Sequence, residues 1–177
     1  MNDDLRRLIR TIPDHPKPGI LFRDVTTLFG DARGLARTVE LLADHLAGEG
    51  LKHVAGIEAR GFVLAGAVAV RLGVGFIPVR KKGKLPHQTI GRDYDLEYGS
   101  DRVEIHVDAV AKDDRVAVID DLIATGGTAL AAIELLEHAG ATVTSAAFVI
   151  DLPDLGGRAR LEDRGTRTHT LLAFEGH

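Results

Sequence analysis

Val116-Ala-Val-Ile-Asp-Asp-Leu-Ile-Ala-Thr-Gly-Gly-Thr128 is the most informative stretch of the chain. Its first residues form an unbroken apolar run, as in a strand covered on both faces. We place that strand over Arg115–Ile119, ending on two adjacent carboxylates, Asp120 and Asp121. Gly126 and Gly127 permit a tight turn with exposed backbone N–H groups, and Ala129 to Ala139 reads as a helix closed by Gly140. A helix N-terminus carries unpaired amides and partial positive charge. With the hydroxyls of Thr125 and Thr128, the turn from Ala124 to Thr128 makes a phosphate cradle. Asp120 and Asp121, acceptor-only when ionised, suit the vicinal hydroxyls of a sugar that carries the phosphate. The stretch lacks the lysine of the Gly-x-x-x-x-Gly-Lys-Ser/Thr loop and the three-glycine spacing of the dinucleotide fingerprint. Asp-Asp and Gly-Gly alone would be an ordinary helix cap with two surface acids; the whole string carries the functional reading.

Outward from this unit, strands and helices alternate. His53–Ile57 reads as a short buried strand running into Glu58, and Gly61–Leu72 is Ala- and Val-rich and compatible with a buried helix. Gly75–Val79 is a further strand, with Pro78 suggesting its end or a bulge. Arg102–Val107 alternates as a half-exposed strand would, and Thr142–Ile150 and Thr168–Ala173 supply two more. Towards the start of the chain, Leu35, Val39, Leu42 and Leu46 share one face of a helix from Ala32 to Ala47. Leu5, Leu8 and Ile9 share one side of a short helix over Asp3–Arg10. This order predicts one α/β domain over residues 1–177, with a mainly parallel twisted sheet flanked by helices. Ligands of such sheets bind beyond the carboxyl ends of strands. That rule selects Glu58–Gly61, Arg80–Lys84 and Asp120–Thr128.

Composition removes several classes of function. The 177 residues are 45% apolar and 27% charged, as in an ordinary globular domain. The formal charge of −4 and the lack of spare length for a helix-turn-helix unit argue against a nucleic-acid partner. With no cysteine, disulfides, thiolate metal sites and cysteine nucleophiles are excluded. The eight histidines show no His-Glu-x-x-His spacing. No apolar run approaches the roughly 18 residues of a membrane span, and Met1–Arg10 has no signal-peptide pattern. The expectation is a soluble, cytoplasmic protein.

The string from Val116 to Thr128 resembles the phosphoribosyl-pyrophosphate motif of type I phosphoribosyltransferases, and its Ala-Thr-Gly-Gly-Thr ending resembles the adenine branch of that family. Hypoxanthine-guanine members usually carry an aspartate where this chain has Ala124. The resemblance covers nearly the whole chain and implies transfer of a 5-phosphoribosyl group from the pyrophosphate donor to adenine, giving AMP and pyrophosphate. It implies that Asp120, Asp121 and residues Ala124, Thr125, Gly126, Gly127 and Thr128 hold the donor. It adds Ala59 and Arg60 at the pyrophosphate, although Gly56–Phe62 alone reads as a capping turn with an exposed arginine. Arg80, Lys81 and Lys84, from a cationic run that would otherwise pass for solvated surface, are implied to stabilise the pyrophosphate and to reach a neighbouring subunit's site. A homodimer follows from that. Residues 81–100 show little periodicity and suggest a lid loop. In this segment Tyr94-Asp-Leu-Glu-Tyr-Gly99 resembles the adenine enzymes' lid, which implies Glu97 as the catalytic proton handler and Tyr98 as the residue closing the lid. Residues 1–30 are implied to form an arm and a base-recognition hood, in which Phe22 stacks on adenine and the backbone near Leu21 and Arg23 reads its edge. His15 stands where the family commonly has phenylalanine. Magnesium is implied as the cofactor, held mainly through substrate, with no direct protein ligand assigned.

Overall fold

The computed structural model describes residues 2–95 and 99–176. The chain begins with α1 (Asp3–Arg6), the hairpin β1 (Arg10–Pro13) and β2 (Leu21–Asp24), and α2 (Thr26–Phe29). Then come α3 (Ala32–Leu46), β3 (His53–Ile57), α4 (Arg60–Leu72), β4 (Gly75–Lys81), β5 (Thr89–Asp95) and β6 (Ser100–His106). The last elements are β7 (Arg115–Ile123), α5 (Gly127–His138), β8 (Thr142–Asp151), a short 3-10 turn, α6 (Gly157–Asp163) and β9 (Arg167–Ala173).

Seven strands form one sheet in the order β5-β6-β4-β3-β7-β8-β9. The pairs among β4, β3, β7, β8 and β9 are parallel, and β6 pairs antiparallel with both β4 and β5. Alternate residues sort to opposite faces. Val54, Ala117, Ile119, Ala147 and Val149 join a cluster with Leu42 and Leu46 of α3 and Leu64 and Val68 of α4. Ala55, Ile57, Val116, Val118 and Phe148 join the other, with Ile133 and Leu136 of α5. Helices thus cover both faces, which explains the continuous apolar strands. Phe148 is fully buried, a residue type whose burial stabilises by about 1.5–3 kcal/mol. Asp31 starts α3 by accepting the Gly34 N–H at 2.7 Å.

Several expected boundaries move. The first helix stops at Arg6, because Arg10–Pro13 is taken up by pairing with Leu21–Asp24. β4 runs past Pro78 to Lys81, and β6 pairs only with Arg80 and Lys81, so the proline lies where that side of β4 is unpaired. β6 is not half-exposed: Val103 and Ile105 enter the core, and Glu104 on the other face is covered while accepting the Gly83 N–H at 3.0 Å. The segment read as a loop from 81 to 100 contains β5, held to β6 from Thr89↔His106 to Asp95↔Ser100. β7 does not stop at Ile119 but carries both aspartates within it, because Asp120 to Ile123 continue to pair with β8.

Candidate active site

The topology makes an opening beside the two aspartates. From β3 the chain crosses through α4 to β4 on one side; from β7 it crosses through α5 to β8 on the other. The sheet therefore changes winding direction between β3 and β7, the place where open α/β sheets bind ligands. β3 pairs with β7 only as far as Gly56↔Ile119, while β7 continues along β8 to Ile123↔Asp151. Asp120 and Asp121 lie in the overhang. They line a cavity of about 180 Å³ with Arg60 and the turn Ala124 to Ala129.

Gly126 takes φ +76°, a conformation natural to glycine, and α5 begins at Gly127 with no side-chain cap. Leu130 N–H donates to the Gly126 carbonyl at 2.9 Å. The amides before it in the first turn have no acceptor within the helix and face the cavity mouth with the dipole's positive end. Behind the turn, Gly157 N–H donates to the Ala124 carbonyl at 2.9 Å. A Cβ on Gly157 would stand 2.2 Å from that oxygen and 2.6 Å from the Gly126 nitrogen.

The acids differ in compensation. Asp121 is buried and receives the Arg60 guanidinium at 2.5 Å. Asp120 accepts the Asp121 N–H at 2.9 Å. Burial, reinforced by repulsion from Asp121, pushes the Asp120 carboxyl well above the usual carboxylate range, and Arg60 opposes this only in part. Gly61 allows α4 to come this close: a Cβ there would lie 2.7 Å from Asp120 Oδ1 and 3.0 Å from the Ile119 carbonyl.

The β1–β2 hairpin reaches the same place. Arg60 Cζ lies 5.7 Å from the centroid of the Phe22 ring, so one guanidinium touches both Asp121 and the hairpin's aromatic. His15 meets Phe22 edge to face at 5.1 Å. The hairpin is rooted by Asp24, which accepts from Thr26 N–H at 2.9 Å, Thr26 Oγ1 at 2.7 Å and Arg10 at 2.6 Å. The Thr26 and Arg10 hydrogen bonds lower the Asp24 carboxyl to about 2.

Comparison with known proteins extends the picture. The profile of the phosphoribosyl transferase domain matches residues 31–169. A relative from Nitrobacter winogradskyi described as an adenine phosphoribosyltransferase is 59% identical over 175 residues, spanning 99% of this chain and 98% of that one. The chain belongs to the adenine phosphoribosyltransferase family. Among solved members, the enzyme of Thermoanaerobacter pseudethanolicus superposes with a TM-score of 0.94 at 45% identity, covering 98% of this chain and 100% of that one. The Giardia lamblia member, solved in complex with 9-deazaadenine, gives a TM-score of 0.91 at 36% identity, with 97% of both chains covered.

Within this family member, the expected donor residues Asp120, Asp121, Arg60 and Ala124 to Thr128 all line one cavity, and Ala59 immediately precedes α4 beside it. Arg80, Lys81 and Lys84 do not line it. Arg80 Nε pairs with Glu58 Oε2 at 2.8 Å, and its Nη1 donates to the Lys84 carbonyl at 3.0 Å. Lys81 pairs with Asp101 and donates to Tyr94 Oη at 2.5 Å. Burial works against the Lys81 ammonium, but the hydrogen bonds to Asp101 and Tyr94 outweigh it and raise its pKa. Leu21 and Phe22 are half-buried, whereas the Arg23 side chain is buried and turned away from Phe22. Glu97 and Tyr98 lie outside the described residues. Sequence reasoning missed Gly157, whose contact with the cradle crosses some 30 residues of chain; it selected Gly61 within the Glu58–Gly61 segment, but not its closeness to Asp120, which depends on how α4 docks.

Proposed function

We propose that this protein serves purine salvage by joining adenine to 5-phosphoribosyl-1-pyrophosphate, giving AMP and pyrophosphate, in the cytoplasm. The observation that carries the reading is the single cavity shared by the uncapped N-terminus of α5 and the Asp120–Asp121 pair, with Phe22 linked to it through Arg60. The adenine analogue bound by the Giardia lamblia relative supports the choice of base.

The 5′-phosphate sits against the amides and hydroxyls of residues 124 to 128, and this remote grip positions C1′ for displacement. Asp120 and Asp121 accept from the ribose hydroxyls. As pyrophosphate leaves, positive charge grows on the ribose ring, and the two carboxylates stabilise it where water is scarce. That same positive charge relieves the repulsion that keeps Asp120 reluctant to ionise. Phe22 stacks on adenine, and the Leu21–Arg23 backbone reads its edge. Glu97 handles the proton of the attacking base and Tyr98 shields it, excluding water that would otherwise consume the donor.

The acidic oxygens of Asp120 and Asp121 suit a hard cation that keeps most of its water and substrate ligands, and so fit magnesium. Bound with the donor, magnesium supplies charge neutralisation at the pyrophosphate. Arg80, Lys81 and Lys84 complement that charge in a neighbouring subunit. The dimer this requires is supported by an apolar face: Val63 and Val70, two turns apart on α4, are 47% and 84% exposed, and Phe76 on β4 is 39% exposed. Arg80 Cζ lies 5.9 Å from the Phe62 ring, which meets Phe76 edge to face at 5.6 Å.

Incubation of protein, donor, magnesium and an equal mixture of adenine, hypoxanthine and guanine, followed by chromatography, tests the reaction. AMP should form preferentially; absence of AMP, or preference for another base, refutes it. Light scattering during elution should give twice the monomer mass of 19.0 kDa, and a monomer refutes the dimer.

A further inference from the structure

The β1–β2 hairpin is held to the segment after β9 by contacts that the reaction itself does not require. Along β2, alternate side chains point to opposite faces. Phe22 faces Arg60, whose side chain lines the donor cavity. Arg23 and Leu21 face the other way, onto residues 174–176. Arg23 Nη2 donates to the Glu175 carbonyl at 2.9 Å and Nη1 to Thr11 Oγ1 at 2.7 Å. The Arg23 guanidinium carbon lies 4.8 Å from the centroid of the Phe174 ring. Arg6 covers the same ring at 4.4 Å and donates to the Ala173 carbonyl at 2.7 Å. Gly176 donates its N–H to Asp154 at 2.9 Å, and a Cβ on it would touch Leu21 Cδ1 at 3.4 Å. Phe174 is itself buried, and its N–H donates to the Asp151 carbonyl at 3.0 Å, at the carboxyl edge of the main sheet.

We propose that Arg23 is a positioning residue for base recognition: clamped by Phe174 and Glu175, it ties the Leu21–Arg23 backbone and the Phe22 ring to the rigid end of the main sheet. The two-stranded hairpin has few means of holding itself, since isolated hairpins are marginal in water. Its root at Asp24 fixes one end of β2. The clamp at Arg23 fixes the middle, one residue from the aromatic that would stack on the base. Arginine suits this task because its planar group can lie on an aromatic face while its N–H groups donate at the rim. The role is one of placement, since the Arg23 side chain is turned away from the cavity.

The inference rests on Phe22 being part of the adenine subsite, so the experiment separates the two ideas. Steady-state kinetics would be measured for Arg23→Met, Phe174→Ala and Phe22→Ala, varying adenine and donor separately, with a thermal melt of each. Arg23→Met keeps the apolar stem and removes the donors; if it fails to fold, Phe174→Ala and the milder Phe174→Leu carry the test. The expected result is an adenine KM raised about tenfold in the clamp variants, equivalent to ~1.4 kcal/mol, with the donor KM unchanged. A purely structural role would lower active enzyme and kcat without dividing the two KM values. The proposal is overturned if folded clamp variants keep the wild-type adenine KM, or lose donor and adenine affinity alike. Where Phe22→Ala raises the adenine KM and the clamp variants do not, only the clamp fails. Where Phe22→Ala also leaves it unchanged, the assignment of the adenine subsite fails with it.

Discussion

Replacing Gly157 by alanine should disable donor binding without altering any residue that lines the donor cavity. The added Cβ would stand 2.2 Å from the Ala124 carbonyl oxygen and 2.6 Å from the Gly126 nitrogen, where ordinary contact begins at 3.4 Å. Both neighbours are backbone atoms of the cradle, so no flexible side chain can yield. Relief requires the turn to shift by roughly 1 Å, and displacement on that scale costs about a hundredfold in a site that depends on placement. Overpacking of this kind also destabilises by about 1–3 kcal/mol, or roughly 2–12 °C in Tm for a chain of this size. Calorimetric titration with 5-phosphoribosyl-1-pyrophosphate and magnesium, beside a thermal melt, reads the two effects separately. Gly156→Ala is the control. That residue has φ +71° but nothing within 4 Å of its Cβ, so it should cost about 1 kcal/mol of stability and leave donor affinity intact. A Gly157→Ala protein that binds donor as tightly as wild type refutes the account of how the cradle is supported.

Three other outcomes are expected. Glu97→Gln should reduce turnover far more than donor affinity; stopped-flow rates beside calorimetry decide it, and unchanged turnover removes Glu97 from the mechanism. Asp120→Asn should melt higher than wild type at pH 7 yet turn over more slowly. Burial and Asp121 raise the folded pKa of Asp120, so wild type loses stability as pH rises above the unfolded value of 3.8, and the gap between the two proteins should close below about pH 4. Asp24→Asn should do the reverse. Hydrogen bonds from Thr26 and Arg10 depress the folded pKa from 3.8 to about 2, so the stabilisation is present above pH 3.8 and lost as pH falls through about 2. Melting curves should draw together as pH falls from 3.8 through about 2, and a difference that does not shrink over that range contradicts the assignment.

Features written in consecutive residues were legible in the sequence. The bounds of β3 follow from its short apolar run, and the helix from Ala32 differs only at its last residue, because the spacing of Leu35, Val39, Leu42 and Leu46 marks one buried face. The acidic pair and the glycine turn could be placed together because a single strand–turn–helix unit contains them. β5 was invisible for the opposite reason. Thr89-Ile-Gly-Arg-Asp-Tyr-Asp95 has few apolar residues, and its strand character comes from the β6 ladder. β7 was read too short because two carboxylates look like a strand end, whereas Ile150 and Asp151 of β8 continue the pairing. Arg23 could be nominated near the base from its motif, but the direction of its side chain depends on Phe174 and Glu175, which no local pattern connects to it.

The placement of charge around the cavity explains why a phosphorylated sugar suits it better than phosphate alone. At one wall, the open amides of α5 and the hydroxyls of Thr125 and Thr128 favour an anion. At the other, two carboxylates share one guanidinium, since Arg60 bonds Asp121 directly and influences Asp120 only through space. That wall is therefore short of positive charge and rich in acceptors. A ligand with a phosphate at one end and hydroxyls at the other satisfies both walls in one orientation only, whereas reversal would set phosphate against carboxylate. In the proposed complex, the field that would orient the ribose in the ground state becomes more favourable as its ring gains positive charge. Binding and bond breaking thus draw on the same two walls, and the overhang of β7 beyond β3 is what brings them together.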